Sequence, residues 1–328
     1  MPKRISPEAS RASEAREGVR RDEVPRLNME SSPAISVIVA TIEPWPGVQA
    51  CLDRLAPQAA AAGAELILAD GTPDGSGVPP AATRDRYRPL VTLAAPGSSV
   101  FALRAKAAWR SAGSVLAFTE DHCHVGPDWV RRVVEAHRAH PQQDMVAGPV
   151  TNGSSDGLVD WANFLMTFAE FLPPAPRRPL KRTPPLSNAS FQRRVMLGGE
   201  PPEGWLELVL APTLFHECRL QYDEAVTVAH VQPRGWREAW ASHFHNGRSS
   251  AGLACPHMAW RDWWLRLVTV PVLPWILFVS VVRSLEGREI PRRARRSLPM
   301  VWLLGAAHTC GELAGLFFGA GASAKRLN

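Results

Sequence analysis

Along this chain, unbroken β-branched runs take turns with stretches of helical spacing. Residues 35–40 (ISVIVA) have the length and composition of a buried parallel strand. The run breaks at a proline- and glycine-containing stretch from Thr41 to Gly47, which is a loop by composition. Val48, Cys51, Leu52 and Leu55 then recur at helical spacing, and residues 65–70 (ELILAD) read as a second strand closing in a turn through Gly77. Residues 98–113 are alanine-rich and free of breakers, which predicts a helix running to a glycine stop at Gly113. A third apolar run starts at Val115. Gly126 and Pro127 then turn the chain into a helix at Trp129, with Asp128 placed to cap it. Residues 145–150 predict a further strand, and Trp161, Phe164, Leu165, Phe168 and Phe171 form the stripe of an amphipathic helix.

Strand, helix, strand with ligand-capable groups at the strand ends is a nucleotide-binding βαβ pattern, so the expected class is α/β. Neither a G-x-G-x-x-G fingerprint nor a Walker lysine loop is present. The run from Val115 ends in a burst of metal-capable side chains, Glu120, Asp121, His122 and Cys123. Glu120 and His122 are two apart, so in an extended segment both point the same way and can share one divalent cation. A histidine in that pair moves preference from magnesium towards manganese or zinc.

Composition adds little. A net charge of +6 and pI near 9.4 suit nucleotide phosphates, anionic lipid and nucleic acid alike. No zinc-finger, RNP-like or helix-turn-helix signature points to nucleic acid. Five scattered cysteines without a C-x-x-C pair read as reduced intracellular thiols.

The strand end at Phe118-Thr119-Glu120-Asp121-His122 resembles the Asp-x-Asp region of family 2 glycosyltransferases, which have the GT-A fold and normally read Phe-Leu-Asp-Asp-Asp there. The resemblance runs from about Ile35 to Arg248. It implies a mixed, mostly parallel sheet flanked by helices, with Glu120 and His122 on a divalent ion (Mn2+ or Mg2+) and Asp121 beside the donor. Thr41, Glu43 and Asp70 match the places that cradle the nucleotide base. A carboxylate at a strand end accepts the imide N–H of uracil, which suits a UDP-linked donor. Arg104 takes the place of the arginine near the donor's diphosphate. Asn188 and Phe191 fall in register with a further segment of the family, where the asparagine either meets a sugar or acceptor hydroxyl or forms a turn. An acidic general base is expected near Glu207, with Glu203 as its rival, and His245 and Arg248 stand where the family neutralises phosphate charge. What the resemblance implies is an inverting glycosyltransferase. The alternatives are a non-catalytic, membrane-attached nucleotide-binding protein on a decayed transferase scaffold, and a transferase that works without metal.

Three regions are expected. Residues 1–32 form a charged, disordered tail without a secretory signal. Residues 33–252 form the transferase domain. Residues 253–328 form an apolar helical region, interfacial, re-entrant or transmembrane. In that last region two apolar runs, 265–282 and 298–322, flank an arginine-rich loop. A basic loop and a nucleotide-sugar domain both belong on the cytoplasmic side, which favours helices lying at the interface. A membrane surface at the cytoplasmic face of the cell membrane and a lipid-linked or glycan acceptor follow from that placement. Residues 173–185 carry six prolines and four basic residues and are expected to form a mobile loop.

Overall fold

The computed structural model describes residues 33–154, 157–174 and 179–326; the expected tail, residues 1–32, lies outside them. The chain runs β1 (Ile35–Thr41), α1 (Gln49–Ala62), β2 (Glu65–Asp70), β3 (Leu90–Ala94), α2 (Val100–Arg110), β4 (Val115–Glu120), β5 (Cys123–Val125) and α3 (Trp129–Ala139). It continues through β6 (Met145–Ala147), β7 (Val150–Asn152), α4 (Leu158–Phe168), β8 (Ala189–Gln192), a π-helical turn (Leu206–Leu210) and α5 (Ala211–His216). After β9 (Leu220–Tyr222) and β10 (Val228–His230) the rest is helical: α6 (Trp236–Ala254), α7 (Trp260–Thr269), α8 (Leu273–Ser284), α9 (Arg292–Arg296) and α10 (Leu298–Phe318).

Seven strands form one sheet in the order β3-β2-β1-β4-β8-β6-β9. β8 is the antiparallel member, pairing with β4 and β6, and every other neighbouring pair is parallel. This is the mixed, mostly parallel sheet flanked by helices that was expected. The period of two along β1 explains why both faces are covered. Ile35, Val37 and Val39 pack with Leu52 and Leu55 of α1 and with Trp129 and Val133 of α3. Ile38 and Ala40 pack on the opposite face with Leu103 and Ala107 of α2 and with Leu206 and Leu210 of the π-helical turn.

Local details differ from the expectations where backbone geometry overrides residue type. The helix from residue 100 stops at Arg110 with Ser111 as its C-cap, not at Gly113. Gly113 serves a close strand approach instead: a Cβ there would lie 2.4 Å from Ser36 N. Asp128 precedes α3 in the left-handed region (φ 60°) and makes no side-chain cap; its carboxylate accepts from Arg131 Nη2 at 2.9 Å. The run 145–150 splits into β6 and β7, which belong to different sheets. Gly148 sits at the break, where a Cβ would be 1.9 Å from Val226 O. β7 joins β10 and β5 in a three-stranded sheet, order β5-β10-β7.

The C-terminal region packs through its last helix. α10 lies against α6 with glycines facing backbone, Gly247 on α6 and Gly311 and Gly315 on α10, while Gly252 of α6 meets Gly319 and Ala320 just past the end of α10. Trp260–Ser284 and Leu298–Phe318 are each long and apolar enough to cross a membrane by length and composition. They differ in cover, with 11% of the first segment's apolar window buried against 50% of the second's. Trp260 (70% exposed) and Trp275 (62%) stand out from the first segment.

His137 of α3 gives the fold a pH dependence. Its ring is buried between Gln192, whose Nε2 lies 3.2 Å from Nδ1, and Ser190 Oγ, 2.9 Å from Nε2. Burial, with Arg194 nearby, depresses its pKa from 6.5 to about 4. Between those values the unfolded chain binds more protons than the folded one. Stability is therefore held above pH 6.5 and lost as pH falls towards 4, by up to roughly 3 kcal/mol. Urea midpoints across this range should fall with acidity, and His137→Gln should flatten the fall. An unchanged slope in the variant would contradict this assignment.

Candidate functional site

β1 leads on to β2 and β3 on one side, and β4 lies on its other side, so strand order reverses between β1 and β4. The crevice outside the carboxyl ends of strands at such a reversal is where open α/β sheets bind ligands. Those ends carry Thr41 on β1, Asp70 on β2 and Glu120 on β4, with Asp121 in the turn directly after it. Thr41 Oγ1 donates to Asp121 Oδ2 at 2.7 Å and joins the two strand ends. Asp121 Oδ1 lies 2.7 Å from His122 Nδ1.

His122 Nε2 thereby faces Glu120 Oε2 at 3.3 Å and His230 Nε2 at 2.9 Å. His230 Nε2 is 3.4 Å from the same Glu120 oxygen, and Cys123 Sγ is 3.9 Å from it. Glu120, His122, Cys123 and His230 thus present ligand atoms within 4.8 Å of one another, a set that could hold a metal ion. Burial opposes a charge on His122, but its hydrogen bonds to Asp121 and Glu120 outweigh it and raise its pKa to about 9. Burial also disfavours a charged Glu120, yet the two imidazoles and Arg104 hold its carboxyl well below the usual range. On His230 burial wins, lowering its pKa, with the neighbouring His122 adding to the effect.

Arg104 of α2 joins this cluster to the π-helical turn. Its Nη2 donates to Glu120 Oε1 at 2.7 Å and its Nη1 to Glu207 Oε1 at 3.2 Å, with only 7% of its side chain exposed. Burial raises the pKa of Glu207 against the pull of Arg104, and Glu207 Oε2 is buried with no hydrogen-bond partner. π-helical turns occur often at functional sites because they re-aim a side chain. Asp70 is buried; its Oδ1 accepts from Thr72 N (2.8 Å) and Thr72 Oγ1 (2.6 Å), and its Oδ2 has no partner.

The remaining candidates are placed differently. Glu43 is exposed, and its backbone N–H donates to Thr41 Oγ1. The rival acid Glu203 accepts from Ser99 Oγ at the start of α2. His245 and Arg248 lie on α6 and turn to the C-terminal segment: His245 Nδ1 is 3.1 Å from Ser323 Oγ, and Arg248 Nε donates to Gly319 O at 3.1 Å. Asn188 uses both ends of its amide inside the fold, accepting from Trp129 Nε1 and donating to Pro149 O and Val226 O. It braces the two sheets together.

Cys123, from the metal-capable burst, and His230 complete the cluster, in which only Glu120 and His122 were expected to hold the ion. Cys123 and His230 are register partners across the antiparallel β5–β10 pair. Their separation of more than 100 residues hides that partnership in the sequence, although Cys123 follows His122 directly.

No protein-family model matches the chain, and no curated protein matches it. Among solved structures it is similar to a mannosyltransferase from Pyrobaculum calidifontis in complex with GDP-Man and Mn2+. The identity is 15%, covering 87% of this chain and 88% of that one, with a TM-score of 0.49. It is also similar to glucosyl-3-phosphoglycerate synthase from Mycobacterium tuberculosis with Mn2+, UDP-glucose and phosphoglyceric acid (16% identity, 65% and 76% of the two chains, TM-score 0.41). A third similar structure is TarS from S. aureus (12%, 85% and 55%, TM-score 0.40).

Proposed function

We propose that this protein is an inverting glycosyltransferase that moves a sugar from a UDP-linked donor to a lipid-linked or glycan acceptor. The observation that carries this reading is the line of groups at the strand-order reversal. An unpartnered buried Asp70 oxygen lies at one strand end, and the Glu120–Arg104–Glu207 bridge starts from another.

Asp70 Oδ2 accepts the imide N–H of the base. Glu120, His122 and His230 offer one oxygen and two imidazole nitrogens, a donor set that fits a divalent ion, Mn2+ before Mg2+. Such an ion, when bound, supplies Lewis-acid charge to the departing diphosphate. Arg104 holds Glu120 in position and adds positive charge beside the same leaving group. Glu207 takes the proton of the acceptor hydroxyl. Its burial raises its basicity, and Arg104 keeps it ionised.

The acceptor side is supported by a cavity of about 680 Å³ walled by Trp275, Ile276 and Val279 of α8, with Lys181, Arg283 and Arg288 supplying positive charge. Glu170, which lines this cavity, follows two residues after Phe168, whose ring packs 4.6 Å from that of His230. An apolar wall beside these basic residues, which outnumber the acids Glu170 and Glu286 of the same lining, suits a lipid that carries a phosphate. The exposed tryptophans of α7 and α8 and the arginines of α9 suit the cytoplasmic face of a membrane.

Glu207→Gln should bind UDP as the wild type does and lose sugar turnover about 10²–10⁴-fold, measured as UDP release with a set of UDP-sugars. A loss below threefold would remove the base from Glu207. Wild-type protein that binds UDP and turns over no sugar would instead be the decayed scaffold, and turnover that survives EDTA would make the transfer metal-independent.

A further inference from the structure

Four donor atoms converge on one point beside Arg104: Glu120 Oε2, His122 Nε2, His230 Nε2 and Cys123 Sγ. Two of the four are aimed there by bonds on the other side of their side chains. Glu120 Oε1 is held by Arg104 at 2.7 Å, which leaves Oε2 to the cluster. His122 Nδ1 is held by Asp121 at 2.7 Å, and Asp121 is held in turn by Thr41. A carboxylate on the far nitrogen is the usual partner of a metal-binding imidazole, fixing both its tautomer and its plane. Cys123 and His230 are held opposite one another by strand register, not by loop placement.

The spacing can be compared with a coordination shell. A tetrahedral ion with nitrogen and oxygen ligands at about 2.0–2.1 Å and one sulfur at about 2.3 Å has ligand-to-ligand edges of about 3.3–3.6 Å. From Glu120 Oε2 the distances are 3.3 Å to His122 Nε2, 3.4 Å to His230 Nε2 and 3.9 Å to Cys123 Sγ. The imidazole pair is closer, at 2.9 Å, and needs to open by a few tenths of an ångström, while the edges from Cys123 Sγ to the two imidazoles lie within 4.8 Å and need to close towards about 3.6 Å.

We propose that Glu120, His122, Cys123 and His230 hold a resident zinc-type ion, bound with the Cys123 thiolate before any nucleotide arrives. Magnesium demands six oxygen ligands in an octahedron, and this set offers two imidazoles and a sulfur. On binding, Cys123 loses its S–H proton and the His122 imidazolium loses the proton on Nε2, both to solvent, and the freed electron pairs on sulfur and nitrogen form the bonds to the ion. The inference rests on the same cluster as the proposed donor site and puts a zinc-type ion where that reading has Mn2+; with four protein ligands the ion would have to take a fifth to meet the diphosphate.

Full-length protein, purified without chelator and dialysed against metal-free buffer in the absence of nucleotide, is expected to retain about one zinc per chain. The protein reconstituted with Co2+ alone should show thiolate-to-cobalt charge-transfer absorption in the near ultraviolet and the intense visible bands of a tetrahedral ion. Cys123→Ser should lose the near-ultraviolet band, and His230→Gln should weaken retention about tenfold or more, both with wild-type far-ultraviolet circular dichroism. An octahedral cobalt spectrum without a thiolate band in wild-type protein would overturn the proposal, and so would metal retained only when UDP is present. UDP titration of the same samples separates the two readings. UDP binding with Mn2+ but no resident ion would sink this inference and leave the transferase. A resident ion without UDP binding would do the reverse.

Discussion

Arg104→Met is expected to lower the stability of the fold by about 3–5 kcal/mol, because it strips the shared partner from two carboxylates in a buried site. Glu120 and Glu207 meet the same guanidinium, and the side chains of all three are mostly covered (7%, 23% and 13% exposed for Arg104, Glu120 and Glu207). Burial already raises the pKa of Glu207, and removing the cation that opposes it raises the pKa further. A carboxyl whose folded pKa lies above its unfolded value contributes stability at low pH and loses it as pH rises. The variant should therefore be closer to wild type at pH 5 than at pH 8, measured by urea midpoints at both. Adding Glu207→Gln should recover part of the loss. A change below 1 kcal/mol that is equal at both pH values would show that Arg104 does not hold the two acids together.

Gly311→Ala should be nearly as damaging, at about 3 kcal/mol, and Gly311→Val worse. A Cβ at Gly311 would lie 1.9 Å from Phe244 O, and one at Gly247 would lie 2.0 Å from His308 O, so α6 and α10 touch backbone to backbone from both sides. The obstacles are main-chain carbonyls, which cannot swing aside as a side-chain end can, so the helices must separate. Gly305→Ala in the same helix is the control. Its nearest neighbours would be 3.5–3.8 Å away, and the gain in helix propensity should leave it neutral or up to about 1 kcal/mol more stable. Equal thermal shifts for Gly305→Ala and Gly311→Ala would contradict this packing.

The sheet's centre was legible because β1, β2 and β4 are buried on both faces, which writes continuous apolar runs into the sequence. β3 was not, since it lies at the sheet edge and its LVTLA segment is half exposed. Likewise Glu120 and His122 can be paired from their spacing alone, within one extended segment. His230 cannot, because its place beside them comes from a three-residue strand pairing with β5. Cys123 belongs to the metal-capable burst in the sequence, but its place opposite His230 is legible only once that pairing is known. Glu207 stood out only through a family resemblance; its approach to Arg104 depends on a π-helical turn that no apolar period encodes. Asp128 shows the opposite failure, a residue type right for a cap on a backbone in the left-handed region, which cannot present it.

The most direct test of the central claim is a calorimetric titration of UDP into purified protein, with Mn2+ and with EDTA, for wild type and for Glu120→Ala/His122→Ala. A donor site built on this cluster should give UDP binding that needs the cation and disappears in the double variant. Absence of UDP binding in every form would contradict the UDP-donor reading, and equal binding in EDTA would take the metal role away from Glu120 and His122.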